Sequence, residues 1–201
     1  MKILTATLLG AAALCVAACS STSSSSSVPR DQTNICGILG DRSDWGEALA
    51  EAEQKWGAPP HVVMAIIWKE SSFRHDAKTP KKYTFFGLVP NGRVSSAYGY
   101  SQALDGTWGW YQDETGNGWA SRENFDDSVD FVGWYMTKTK RSNGLSMTDA
   151  YSQYLAYHEG HTGYKRGSWK QKDWLKKAAS RVTSRAQDYE RQLAGCRGLV
   201  A

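Results

Sequence analysis

Pro60-His61-Val62-Val63-Met64-Ala65-Ile66-Ile67-Trp68-Lys69-Glu70-Ser71-Ser72-Phe73 decides how the chain is read: seven consecutive apolar residues, Val62 to Trp68, lead into a lone acid, Glu70. Four of the seven are β-branched, so a short buried strand competes with a helix. Pro59 and Pro60 favour the helix, because proline is pre-organised for a first helical turn, and the segment from there to Ser71 is longer than a typical buried strand. On a helix, Ile66 and Ile67 lie one turn before Glu70, which sets its carboxyl on an apolar stripe. Desolvation and the negative end of the helix dipole then both raise its pKa. A carboxyl that stays protonated near neutrality is what a general acid needs. The alternative is a structural glutamate bonded to a backbone group or an arginine.

Upstream, residues 1–18 read as an export signal, with Lys2 as the charge and an apolar run from Ile3 to Ala18 that is too short to span a bilayer. Val16-Ala17-Ala18-Cys19 resembles the lipobox of bacterial lipoproteins, and the resemblance implies acylation at Cys19 and a membrane anchor without a transmembrane helix. Ser20 follows the cysteine where an aspartate would retain the protein in an inner membrane, so the expected destination, in a Gram-negative host, is the outer membrane facing the periplasm. Ser20 to Ser27 is serine with one threonine, a composition that buries no core. Residues 19–35 are therefore expected to be a lipidated tether, and 36–201 the folded domain.

Of four cysteines, Cys15 falls in the signal and Cys19 in the lipobox, which leaves Cys36 and Cys196. An exported chain is expected to join them in a disulfide worth roughly 4–5 kcal/mol by loop closure. Their separation lacks metal-ligand spacing and the four histidines form no metal pattern, so neither metal nor cofactor is expected. A net charge of +4 hints at an anionic polymer or membrane surface, and no nucleic-acid motif accompanies it. Nine Trp and ten Tyr suit both a packed core and a sugar-binding groove.

Helical patterns dominate the remainder. Asp44 to Trp56 sets Trp45, Ala48, Leu49, Ala52 and Trp56 on one face behind Ser43 as cap, with Gly57 as the stop. Phe125 to about Lys138 follows Asn124 as cap. Ser146-Met147-Thr148-Asp149 reads as a capping box that opens Ala150 to Tyr157. The longest helix is expected from about Ser168 to Leu193. Between Phe73 and Ala97 the pattern lapses, and Pro90-Asn91-Gly92 reads as the turn of a small β-hairpin, either a cleft wall or a surface loop. The expected fold is mainly α, with that hairpin directly after the helix bearing Glu70.

Three segments together resemble the lytic transglycosylases of the soluble, goose-type-lysozyme-like group. Glu70-Ser71-Ser72-Phe73 resembles the family's Glu-Ser-x-Phe. Ala97-Tyr98-Gly99-Tyr100-Ser101-Gln102 resembles its Ala-x-Gly-Leu-Met-Gln, and Ala156-Tyr157-His158-Glu159-Gly160 its Ala-Tyr-Asn-x-Gly. The chain departs from the pattern at Tyr100-Ser101, at His158, and in the longer stretch between Phe73 and Ala97. The resemblance implies a lysozyme-like α+β domain acting on peptidoglycan glycan strands; a monomer is expected. Glu70 would protonate the β-1,4 bond between N-acetylmuramic acid and N-acetylglucosamine, then take a proton from the C6 hydroxyl to leave a 1,6-anhydromuramyl end. Ser71, Tyr98, Ser101, Gln102, Tyr157, His158 and Glu159 become candidate substrate contacts. For Ser101 and Gln102 the alternative is turn chemistry. Tyr157 would orient Glu70 or pack in the core, and His158 and His161 would bind sugar or sit at the surface. A hydrolytic muramidase, with Glu159, Asp76 or Asp105 as a second acid, and a non-catalytic wall-binding lipoprotein are the competing readings.

Overall fold

A computed structural model describes residues 28–84 and 88–200. The expected export signal, Cys15, Cys19 and the serine tract all lie outside the described residues.

The fold is built around α3 (Pro60–Ser71), in which every side chain from Val62 to Ile67 is fully buried. A helix apolar all round must be enclosed, and neighbours supply that enclosure. α7 (Asp173–Cys196) packs along it, with α2 (Ser43–Trp56) and α5 (Phe125–Asn143) on other sides and α6 (Ala150–Arg166) bridging α5 to α7. Pro60 occupies the first turn, as its fixed φ favours. The helix ends abruptly after Ser71, one residue past Glu70, because Ser72 (φ 52°) and Phe73 (φ 60°) both take the left-handed conformation. That is costly for an aromatic residue. It persists because Phe73 is fully buried against Trp45, 5.7 Å between ring centroids, within a cluster that adds Tyr100 and Phe125.

Gly57 closes α2 in the left-handed region, Asn124 caps α5 by accepting from the Asp127 amide, and α7 turns Leu175, Ala178, Ala179, Val182, Ala186, Tyr189 and Leu193 inward as its pattern requires. Other boundaries differ from expectation. The folded region starts before residue 36: Pro29 is buried, Tyr189 donates to the Gln32 carbonyl at 2.5 Å, and α1 (Ile35–Asp41) opens behind Asn34. Gln192 clamps this entry by accepting from the Ile35 amide and donating to the Thr33 carbonyl. Beside it, Cys36 and Cys196 form a disulfide that joins α1 to the last turn of α7 across 160 residues.

Ser146 does not cap α6. Asp149 does, accepting from the Ser152 amide at 3.0 Å, while Ser146 Oγ accepts from the Thr148 amide. The helix also runs past Tyr157 to Arg166, broken only at Gly160 (φ 72°, ψ 160°). A 3₁₀ turn at Ser168–Gln171 precedes α7, and α4 (Asp105–Thr115) is a further helix not expected.

The hairpin exists with its turn displaced. β1 (Lys81–Thr84) pairs antiparallel with β2 (Val89–Arg93), so the reversal lies between Thr84 and Val89, and Pro90-Asn91-Gly92 is strand. Pro90 is tolerated because a two-stranded ribbon has open edges, and Gly92 (φ 69°) sits where the register slips between the Lys81 and Tyr83 pairs. Both strands are exposed along their length.

Gly160 adopts a backbone region that is essentially closed to other residues, and an added Cβ would meet nothing within 4 Å. Its need is conformational rather than steric. Gly160→Ala is expected to cost about 1–3 kcal/mol, read as a fall in Tm of about 2–10 °C by calorimetry.

Candidate active site

Glu70 lines a cavity of about 500 Å³ where four regions of the chain meet: α3, the flanks of the hairpin at Thr79 and Ser95, the loop before α4 at Gln102, and a wall of α5 and α6 carrying Phe131, Tyr135, Tyr157, His158 and Glu159. Among the described residues the strands are not part of this wall, and the hairpin reaches it through its base, where Thr79 Oγ1 donates to the Ser95 carbonyl at 2.8 Å.

Burial pushes the Glu70 carboxyl up to about 7, only partly offset by a hydrogen bond from Tyr154 and by the Lys69 charge. Tyr154 is itself 4% exposed, so the hydroxyl that meets Glu70 is held by the core. Tyr157, expected to orient Glu70 or to pack in the core, donates to the Ser101 carbonyl at 2.6 Å and also feels the Glu70 charge. The two tyrosines are one helical turn apart on α6, and that spacing is the signal by which Tyr154 was open to recognition.

Glu159 has the opposite environment. Burial raises its pKa, but hydrogen bonds from Lys172, Ser168 and His158, together with the Lys172 charge, outweigh burial and hold it at about 2. Lys172 Nζ approaches to 2.7 Å and His158 Nδ1 to 3.1 Å. One cavity thus holds two carboxyls whose proton affinities are driven apart: Glu70 can hold a proton near neutrality, while Glu159 stays a tethered anion. The other acids weighed as partners are engaged elsewhere: Asp105 pairs with Arg122 at 2.8 Å and Asp76 with Arg74 at 3.6 Å, and neither lines the cavity.

Several expected contacts are turned away. Ser71 Oγ donates to the Ile67 carbonyl inside its own helix, as a serine near a helix end can. Ser101 is fully buried and presents its carbonyl to Tyr157. Tyr98 is bonded to Glu123 and flanked by Lys78 and Arg122, outside the cavity lining. Gln102 does line the cavity, with φ 50°, but its amide donates to the Ala77 and Gly99 carbonyls at 2.9 Å each, so both protons serve the loop. Gly99 is required there, because a Cβ would fall 2.0 Å from the Arg122 carbonyl oxygen. His161 stacks on Tyr135 at 4.4 Å and contacts Thr139, away from the lining. Among the described residues no group of three or more His, Cys, Asp or Glu is placed to hold a metal, and no helix is long and apolar enough to cross a membrane.

A family model described as the transglycosylase SLT domain matches residues 7–196. The chain belongs to the transglycosylase SLT family. No curated protein matches it. Membership carries lytic transglycosylase activity on peptidoglycan, and the mainly α architecture with one small antiparallel sheet agrees with the lysozyme-like fold.

In this SLT domain the Tyr154 hydroxyl stabilises the Glu70 anion, so its removal should raise Glu70's proton affinity. A hydrogen bond to a charged group is worth about 1.5–3 kcal/mol, hence Tyr154→Phe is expected to move the Glu70 titration up by about one to two pH units. Carbon-detected NMR of the glutamate carboxyls checks this, and an unmoved or lowered titration contradicts the assignment.

Proposed function

We propose that the protein is a lipid-anchored, monomeric lytic transglycosylase in which Glu70 alone serves as acid and then base. The observation that carries this reading is the pair of carboxyls in one cavity: Glu70 raised to about 7, Glu159 held at about 2 by three donors. Protonated Glu70 donates to the oxygen linking N-acetylmuramic acid to N-acetylglucosamine. The C1–O4 bond breaks, and the muramyl C1 takes oxocarbenium character. The Glu70 carboxylate then takes the proton of the same sugar's C6 hydroxyl as that oxygen bonds to C1. Atoms balance without water, and Glu70 ends protonated, ready to repeat.

In most glycosidases a hydrolytic route uses a second carboxylate to activate water or trap C1. Glu159 is the other carboxyl lining the cavity, and its ties to Lys172, Ser168 and His158 suit a fixed anion better than a proton acceptor. Residues 1–18 are proposed to be removed and Cys19 acylated, which would set the domain on the periplasmic face of an outer membrane at the end of its serine tether.

Mass spectrometry of muropeptides released from purified sacculi tests the reading. The expected products carry 1,6-anhydromuramyl ends, lighter by one water than hydrolysed ends. Reducing ends alone would make the protein a muramidase. Binding to sacculi with no product at all would make it a wall-binding protein.

A further inference from the structure

The wall carrying Glu159 continues beyond the cavity. Glu159, its side chain 4% exposed, binds His158 on one side and Lys172 and Ser168 on the other, and so fixes the rim between α6 and α7. Two residues past Lys172, in the first turn of α7, stands Trp174. It is 56% exposed, and its ring lies edge to face with His158 at 5.0 Å between centroids. His158 lines the cavity whereas Trp174 does not, so the two rings form a step from the inside of the cavity to its outer edge.

Exposure alone says little, since Trp119 is 99% exposed; what sets Trp174 apart is its place against His158 at the edge of the cavity. The neighbouring charges do not use it: Lys172 is committed to Glu159, Lys176 pairs with Asp173 at 2.7 Å, and among the described residues no cation stacks on this ring. What remains is a flat apolar face held on a rigid helix start beside a cavity. The C–H face of a pyranose ring complements such a surface, and its equatorial hydroxyls point away from the indole.

We propose that Trp174, with His158, is a saccharide-binding surface outside the bond-cleaving position, taking one further pyranose ring of a glycan strand that leaves the cavity across the α6–α7 rim. This rests on the reading that the cavity takes peptidoglycan glycan. Its consequence is a preference for long strands over short fragments, because only a strand that extends past the cavity reaches Trp174.

The test compares wild type, Trp174→Ala and Trp174→Phe on long solubilised glycan strands and on short glycan fragments. Loss of one stacking contact should raise KM for long strands about three- to tenfold in Trp174→Ala with kcat unchanged, and the aromatic Phe variant should return it to within about twofold of wild type. KM for short fragments should not move. Binding is measured in parallel by co-sedimentation of Glu70→Gln and of Glu70→Gln with Trp174→Ala on purified sacculi, where the second protein should bind more weakly by the same factor. Equal binding of the two, or equal losses on long and short substrates, overturns the proposal. If wild type turns nothing over, the enzymatic reading fails while the co-sedimentation still decides the role of Trp174.

Discussion

Glu70→Gln is expected to lower turnover on purified sacculi by at least about 10³-fold, because one side chain supplies both the proton that releases the leaving group and the base that closes the new ring. Gln keeps the volume of Glu and can still accept from Tyr154, so the loss reports the proton and not the packing. The same substitution should make the protein more stable. The raised pKa fixes the sign: the unfolded chain releases this proton near 4.5, whereas the folded protein holds it to about 7. The stabilisation that comes from binding the proton more tightly when folded is full below pH 4.5 and is lost as pH rises through 7. Above that, wild type carries a buried anion at a cost of about 3 kcal/mol. Thermal melts at pH 5 and pH 8 should show Glu70→Gln exceeding wild type by about 5–10 °C at pH 8 and by much less at pH 5. Equal melting at pH 8, or residual turnover within a few fold of wild type, would remove Glu70 from the centre of the site.

The disulfide carries the largest expected effect on stability. Closing a loop across 160 residues removes chain entropy from the unfolded state. The chain-entropy relation puts this at about 5 kcal/mol, so Cys36→Ala with Cys196→Ala should lower Tm by about 10–20 °C. Turnover measured well below the new melting point should be kept, because the bridge joins α1 to the end of α7 and neither contributes a residue to the cavity lining. A loss of activity at temperatures where circular dichroism still reports a folded helical domain would show that the bridge acts on the site.

The elements readable in advance were those whose signal lies within a few consecutive residues. The proline start of α3, the glycine stop of α2, the Asn124 cap and the inward stripe of α7 are all local, and each formed as its chemistry dictates. α4 was hidden because it has two glycines and buries little beyond Trp108 and Tyr111, so no apolar stripe announces it. α1 was hidden because seven residues are too few to show periodicity, and its anchorage comes from Gln192 and Cys196 at the far end of the chain. The Pro90-Asn91-Gly92 turn signal was overruled by pairing, since Tyr83 opposite Pro90 fixes the register and turn preference alone does not.

At the site, the sequence located Glu70, Gln102, Tyr157, His158 and Glu159, and the fold gathers all five around one cavity from three distant segments. Side-chain direction was not legible. Tyr154 and Tyr157 occupy the same face of α6, and only the depth of α3 against that face decides which hydroxyl meets the acid. Ser71, Tyr98 and Ser101 sit beside cavity residues in sequence yet bond to Ile67, Glu123 and Tyr157, since adjacent residues in a helix or tight loop point in different directions.

Because the middle of α3, Val62 to Ile67, is fully buried, its core neighbours act as insulation for the acid near its end. A packing defect at Ile66 or Ile67 large enough to admit water would drain proton affinity from Glu70 while the domain still holds together. In this protein the tightness of the interior is thus written into the acidity of one side chain, where a titration can read it.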